Sequence, residues 1–243
     1  MKNSQLIYKL QELFKLFTVT VRIFIACKRE TVMKETQTDI ACLILCGGAS
    51  KRFGGTNKLL LCHEGRTFLS LIAEAFGETG RILLSADKKE RFAKLGFPVI
   101  EDRYPGCGPL GGIVSALETC SEEALFVAAC DMPFITKESV RRLLDAYFRN
   151  GGIVLAEGSA GIEPLFGIYP NTVLPEAKSM LTRGDLKLRS LYASCGGTSV
   201  RFEDADSVFI NINTPADYRR FVRPGSCERA CGSGASDEAH SFP

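Results

Sequence analysis

From residue 40 onward the chain alternates between two apolar patterns. Runs at Ala41–Leu45, Arg81–Ser85, Val99–Ile100, Ala124–Ala129, Gly152–Ala156 and Leu165–Tyr169 read as buried strands, each closed by Gly, Pro or an acidic residue. Between them, apolar residues fall three and four apart. That spacing predicts helices over Thr67–Phe76, near Lys88–Leu95, from the Gly-rich residues 105–112 through Cys120, over Thr136–Arg149, Leu174–Leu181 and Leu186–Tyr192, and from Pro215. In the longest of these, Thr136 is placed to cap, and Val140, Leu143, Leu144 and Tyr147 share one face. A further strand is expected at Ser199–Phe202. Strands alternating with helices imply an α/β fold of three layers, a mostly parallel sheet with helices on both faces.

The two ends read differently. Leu6, Leu10, Leu13, Phe14, Phe17 and Val21 have helical spacing, with Lys9, Glu12, Lys15 and Arg22 between them. This is an amphipathic helix rather than a membrane span, because charges interrupt it well short of about 20 apolar residues. No small-residue cleavage site follows it, so a cytoplasmic protein without stable membrane insertion is expected. Met33 offers a second start just before the first core strand. The expected organisation is an amphipathic extension over 1–39, either dispensable for the chemistry or a membrane-surface or partner-binding helix, a working domain over 40–224, and a disordered tail over 225–243 rich in Gly, Ser, Cys and Ala.

Charge supports that division. The 243 residues carry a net charge of +2. Residues 1–39 hold seven basic and four acidic side chains, so the remaining 204 hold 23 and 24. A neutral body gives no ground for a nucleic-acid partner. Ten cysteines are scattered through the chain, and Cys42, Cys46 and Cys130 lie in apolar runs, where a thiol behaves as a small hydrophobe. Reduced core thiols are expected. Cys42/Cys46 and Cys227/Cys231 match no zinc spacing, and His63 and His240 are the only histidines, too few for a His-based metal cluster or triad.

In such a sheet ligands bind beyond the carboxyl ends of the strands, and three segments there carry chemistry. Leu45, Cys46, Gly47 and Gly48 lead into Ser50, Lys51, Arg52 and Lys58. Glycines after a strand let backbone N–H groups approach an anion, and the basic residues add charge. The segment is neither Walker A nor a dinucleotide turn, and a plain turn with solvated charges fits it as well as a phosphate cradle does. Asp131 leaves the strand Ala124–Ala129, and Pro133 ends the ladder. It is placed to hold Mg2+, which is bound through one or two carboxylates plus substrate phosphates, or else to close a turn. Asp102 follows the strand at Val99–Ile100 and precedes Pro105 to Gly112, a loop able to lie against a base or ribose, though a surface turn fits Asp102 equally.

Together these blocks resemble the molybdenum cofactor guanylyltransferase family, nucleotidyltransferases of Rossmann-like fold. The resemblance rests on Leu45, Gly47, Gly48, Ser50, Arg52, Gly54 or Gly55 and Lys58, then on Gly108-Pro109-Leu110, Cys130-Asp131-Met132-Pro133, Pro164-Leu165-Phe166 and Asn211-Ile212-Asn213-Thr214-Pro215. It implies that Leu45, Cys46, Gly47, Gly48, Lys58, Ser85, Asp102 and Asp131 bind the nucleotide, that Asp131 holds Mg2+, and that Asn211 and Asn213 lie on the acceptor side. Lys58, Arg52 and Asp131 would carry catalysis. The implied reaction joins GMP from GTP to Mo-molybdopterin and releases pyrophosphate, with molybdenum insertion proteins or apo-molybdoenzymes as partners. Phosphate attacking phosphate asks for positioning and charge neutralisation rather than a strong base, which suits a chain poor in histidine. Cys46, Phe53 and Ser85 depart from the Ala, Met and Asn common in the family. Two alternatives stay open: the same fold using CTP or a sugar- or alcohol-phosphate acceptor, and a non-catalytic nucleotide-binding partner of molybdoenzymes.

Overall fold

Ile40–Leu45 (β1) is six residues without a charged side chain, and all six are buried. A strand with no solvent face belongs at the centre of a covered sheet. The computed structural model, which describes residues 39–47, 57–203 and 207–223, places it there. Ile82–Ala86 (β4) and Ala124–Ala129 (β6) flank β1 in parallel, and Val99–Glu101 (β5) pairs with β4. Beyond β6 lie Gly161–Pro170 (β8), Val154–Gly158 (β7) and Thr198–Arg201 (β9), giving the order β5-β4-β1-β6-β8-β7-β9. Only β8 runs antiparallel to its neighbours within this sheet.

Side chains of β1 alternate between the two layers, as strand geometry requires. Cys42 and Ile44 pack with Leu69, Ile72 and Phe76 of Phe68–Phe76 (α1), and Leu143 of Lys137–Asn150 (α3) belongs to the same cluster. Ala41 and Leu43 face Leu110, Ile113 and Val114 of Gly108–Thr119 (α2), in a cluster shared with Leu174–Arg183 (α4) and Leu188–Ser194 (α5). Three layers result, as the alternation predicts. Thr136 caps α3 as expected, with a reciprocal bond to Ser139, and Pro215–Phe221 (α6) carries a similar box between Thr214 and Asp217.

Three features differ from expectation. The helix expected near Lys88–Leu95 is a pair of 3-10 turns, Lys89–Arg91 and Ala93–Leu95, separated by Phe92. Neither turn fully buries a residue; Phe92 between them is buried and Leu95 only partly so, both against one core cluster, which is too short an apolar stripe to hold a longer helix. Cys62–His63 (β2) and Arg66–Thr67 (β3) form a hairpin that was not expected, turning through Glu64 and Gly65 with φ of 49° and 76°, the signature of a primed turn. Cys62 is disulfide-bonded, contrary to the expectation of reduced thiols, whereas Cys42, Cys46, Cys107, Cys120, Cys130 and Cys195 are free. The reduced reading rested on burial in core strands, and Cys62 lies in a two-residue strand outside the main sheet. The expected helix over Leu6–Val21, the tail from Gly225, and Gly48 to Thr56 lie outside the described residues. Among the described residues no helix is long and apolar enough to cross a membrane.

Candidate active site

The carboxyl ends of β1, β4, β5 and β6 and the start of α2 surround a cavity of about 750 Å3. Eight of the ten residues expected to bind the nucleotide or lie on the acceptor side line it: Leu45, Cys46, Gly47, Lys58, Ser85, Asp102, Asp131 and Asn213. Gly48 and Arg52 lie outside the described residues. Asn211 is not in the lining, and its side-chain oxygen is buried without a partner among the described residues.

One end of the cavity is built by three segments distant in sequence. Asn57 accepts a hydrogen bond from the Leu59 amide and starts a 3-10 turn, Lys58–Leu60, which the buried Leu59 anchors. Lys58 therefore projects at a fixed point. Its Nζ lies 3.6 Å from Asp131 Oδ2 and donates to Asn213 Oδ1 at 3.3 Å. The two charged side chains are 15% and 20% exposed, reachable by a ligand yet partly screened from solvent. The Asp131 turn is held by its backbone: Met132 N donates to Ala129 O, and Ile212 N donates to Asp131 O at 2.8 Å. The second bond brings the Asn211–Asn213 segment alongside, and Asp217 fixes the Asn213 and Thr214 amides beyond it.

Burial shapes the floor. Cys130 is pushed up to about 12 by burial, with the Asp131 carboxylate adding to it, and burial likewise raises Cys46, with the neighbouring Cys130 adding to it. Both are neutral thiols at physiological pH and offer no nucleophile. Glu163, just before the cavity-lining Leu165, is raised chiefly by burial, and Asp131 adds to this. Its carboxylate accepts from Leu165 N, and the fully buried Tyr169 donates to Pro164 O at 2.7 Å. Register between β7 and β8 jumps here, Leu155 pairing with Gly167 and Ala156 with Glu163. This bulge turns Leu165 into the cavity.

The opposite end belongs to β4, β5 and α2. Asp102 Oδ1 accepts from Tyr104 N at 2.8 Å and Ser115 Oγ at 3.3 Å, which leaves Oδ2 as an acceptor. Two glycines let helix α2 pack closely, Gly112 against the sheet and Gly111 against the loop that precedes the helix. A Cβ on Gly112 would stand 2.7 Å from Ser85 Oγ, and one on Gly111 would stand 2.8 Å from Tyr104 O. Asp87, Arg91 and Phe92 also line this end. Sequence reading missed them because it took their segment for a helix with no part in the site; the signal available was their position directly after a strand end.

A cavity with a cation, a carboxylate and an amide at one end, and Ser85 and Asp102 among apolar and glycine residues at the other, can hold an elongated anion. Comparisons with known proteins place the chain among its relatives. The family described as MobA-like NTP transferase domain matches residues 42–219. The molybdenum cofactor guanylyltransferase of Vibrio cholerae serotype O1 is 32% identical over 186 residues, 76% of this chain and 92% of the relative. That of Cereibacter sphaeroides is 33% identical over 183 residues, 73% of this chain and 93% of the relative. Among solved structures, the molybdopterin-guanine dinucleotide biosynthesis protein A of Archaeoglobus fulgidus superposes with a TM-score of 0.60 at 23% identity, over 74% of this chain and 95% of that one, a likeness of fold. Its match to the family over most of its length, together with these relatives, means that this chain belongs to the MobA-like NTP transferase family.

Proposed function

We propose that this protein transfers GMP from GTP to Mo-molybdopterin, forming the guanine dinucleotide cofactor. The observation that carries the reading is the meeting of Lys58, Asp131 and Asn213 at one end of a cavity otherwise lined by strand ends and the start of α2, in a chain whose relatives bear the guanylyltransferase name. In the step, an oxygen of the acceptor's terminal phosphate attacks the α-phosphorus of GTP. A new P–O–P bond forms, the bond from the α-phosphorus to the bridging oxygen breaks, and pyrophosphate leaves with the electron pair. Lys58 supplies positive charge where the phosphates gather, and Asn213, which accepts from Lys58, keeps its ammonium aimed there. Arg52 would add a second cation from the basic loop, and Gly47 and Gly48 would offer backbone N–H groups. Asp102 and Ser85 would hold the nucleoside, and Asn211 would order the acceptor side behind Asn213.

The donors suit Mg2+. Among the described residues no group of three or more His, Cys, Asp or Glu is placed to hold a metal, while Asp131 stands in the cavity. One carboxylate completed by substrate phosphates is how this ion is commonly bound. Held by Asp131, Mg2+ would neutralise charge on the phosphates. The same reading makes 40–224 the working domain, with the cytoplasm as its location and molybdenum insertion proteins or apo-molybdoenzymes as recipients of the product.

The test is to incubate the full chain with Mo-molybdopterin, Mg2+ and each nucleoside triphosphate in turn, measuring pyrophosphate. Release with GTP is expected. Release with CTP instead would move the protein to the cytidylyl branch of the fold, and none with any nucleotide would leave a binding partner without catalysis.

A further inference from the structure

The base end of the cavity carries a charge pair that the reaction above does not use. Arg91 Nη1 donates to Asp87 Oδ1 at 2.7 Å, and both residues line the cavity. Their backbone is fixed from two sides: Asp87 follows Ala86, the buried last residue of β4, and Phe92 sits in the core next to Arg91. The guanidinium itself keeps freedom, for Arg91 is 38% exposed. Although burial dominates at the Cys46 thiol, the charge of Arg91, in the 3-10 turn that follows β4, also acts there. The guanidinium therefore addresses the cavity.

Geometry tells which part of a nucleotide would meet it. In the order β4-β1-β6, Asp87 and Arg91 follow a strand two spacings away from that of Asp131, roughly 10 Å across the sheet. A triphosphate seated at Lys58 and Asp131 places its base, one ribose further on, over the end of β4. Guanine presents the acceptors O6 and N7 on one edge. A guanidinium offers two parallel donors at matching spacing. Adenine puts an N6 amino donor where guanine has O6, and cytosine carries an N4 amino donor, so either sets donor against donor. Asp102 Oδ2 is the acceptor left for the N1 and N2 donors.

We propose that Arg91, held in line by Asp87, selects guanine by donating to its O6/N7 edge. The inference rests on the guanylyl reading and adds the specificity residue to it. Equilibrium binding of GTP, 7-deaza-GTP, ATP and CTP with Mg2+ to the full chain tests it, without an acceptor present. The unsubstituted protein is expected to prefer GTP and to bind 7-deaza-GTP more weakly. Arg91→Ala should weaken GTP roughly tenfold to a hundredfold, leave ATP and CTP unchanged, and abolish the difference between GTP and 7-deaza-GTP. Arg91→Lys, which keeps the charge but not the fork, should recover only part of the selectivity. Unchanged circular dichroism in both variants keeps the comparison valid. Equal weakening of all four nucleotides would make Arg91 a general anion contact and overturn the assignment. A preference for GTP that survives Arg91→Ala overturns the assignment alone, whereas an unsubstituted protein indifferent to the base overturns the guanylyl reading with it.

Discussion

Asp131 is the residue on which most of the proposed chemistry turns. Its side chain meets Lys58, while its backbone carbonyl holds Ile212 and the turn closes through Met132. Asp131→Asn keeps the size and every backbone bond. We expect pyrophosphate release to fall by about 10²- to 10³-fold with the thermal midpoint nearly unchanged; near-normal turnover would remove Asp131 from the metal and phosphate role. Asp131, Lys58 and Asn213 were legible from the sequence because each belongs to a short block at a strand or loop end. Gly111 and Gly112 were legible only as a flexible loop, and the structure gives them another part. They are helical residues whose missing Cβ atoms let α2 approach Ser85 and Tyr104. Ser85 fits this crowding, since its hydroxyl already stands where a side chain on Gly112 would collide. Leu165 was legible as part of a block, but the Glu163 and Tyr169 bonds that turn it into the cavity depend on residues brought together by a bulge.

At the scale of elements, β4 and β6 never pair with each other, each lying against β1. Their amino ends are tied instead by an ion pair: Arg81 donates to Glu122 through Nε and, at 3.0 Å, through Nη2. Arg81 is half exposed and Glu122 only 13% exposed. The guanidinium bond holds Glu122 below the usual carboxylate range. A depressed carboxylate stabilises the fold above its unfolded value, about 4.3, and that contribution disappears as pH falls through the folded value. Glu122→Gln should therefore lower the thermal midpoint at pH 7, and the gap from the unsubstituted protein should close as the pH drops below about 4. A gap independent of pH would assign the effect to packing. The main strands were readable because they are almost wholly apolar. The segment after β4 was not, because its helical spacing is carried by only Phe92 and the half-buried Leu95, too little to hold more than a pair of 3-10 turns.

For the whole molecule, the family match over 42–219 begins after the N-terminal extension and stops before the tail. The described cavity is lined by residues from Leu45 to Asn213. A chain beginning at Met33 should release pyrophosphate at the full rate and remain soluble at the same concentration; loss of either would give the extension a part in the working protein. What the sequence by itself determined was the layered α/β architecture, since burial on both faces leaves an uninterrupted apolar run, and the identity of most cavity residues, since strand ends in such a sheet face the ligand. Only the tertiary structure decided which ends converge. Lys58, Asp131 and Asn213 are separated by up to 155 positions, and Arg91 joins them across the cavity through the order of three strands. Strand order and a bulge in register are set by packing between distant segments, and local patterns of residues do not carry that information.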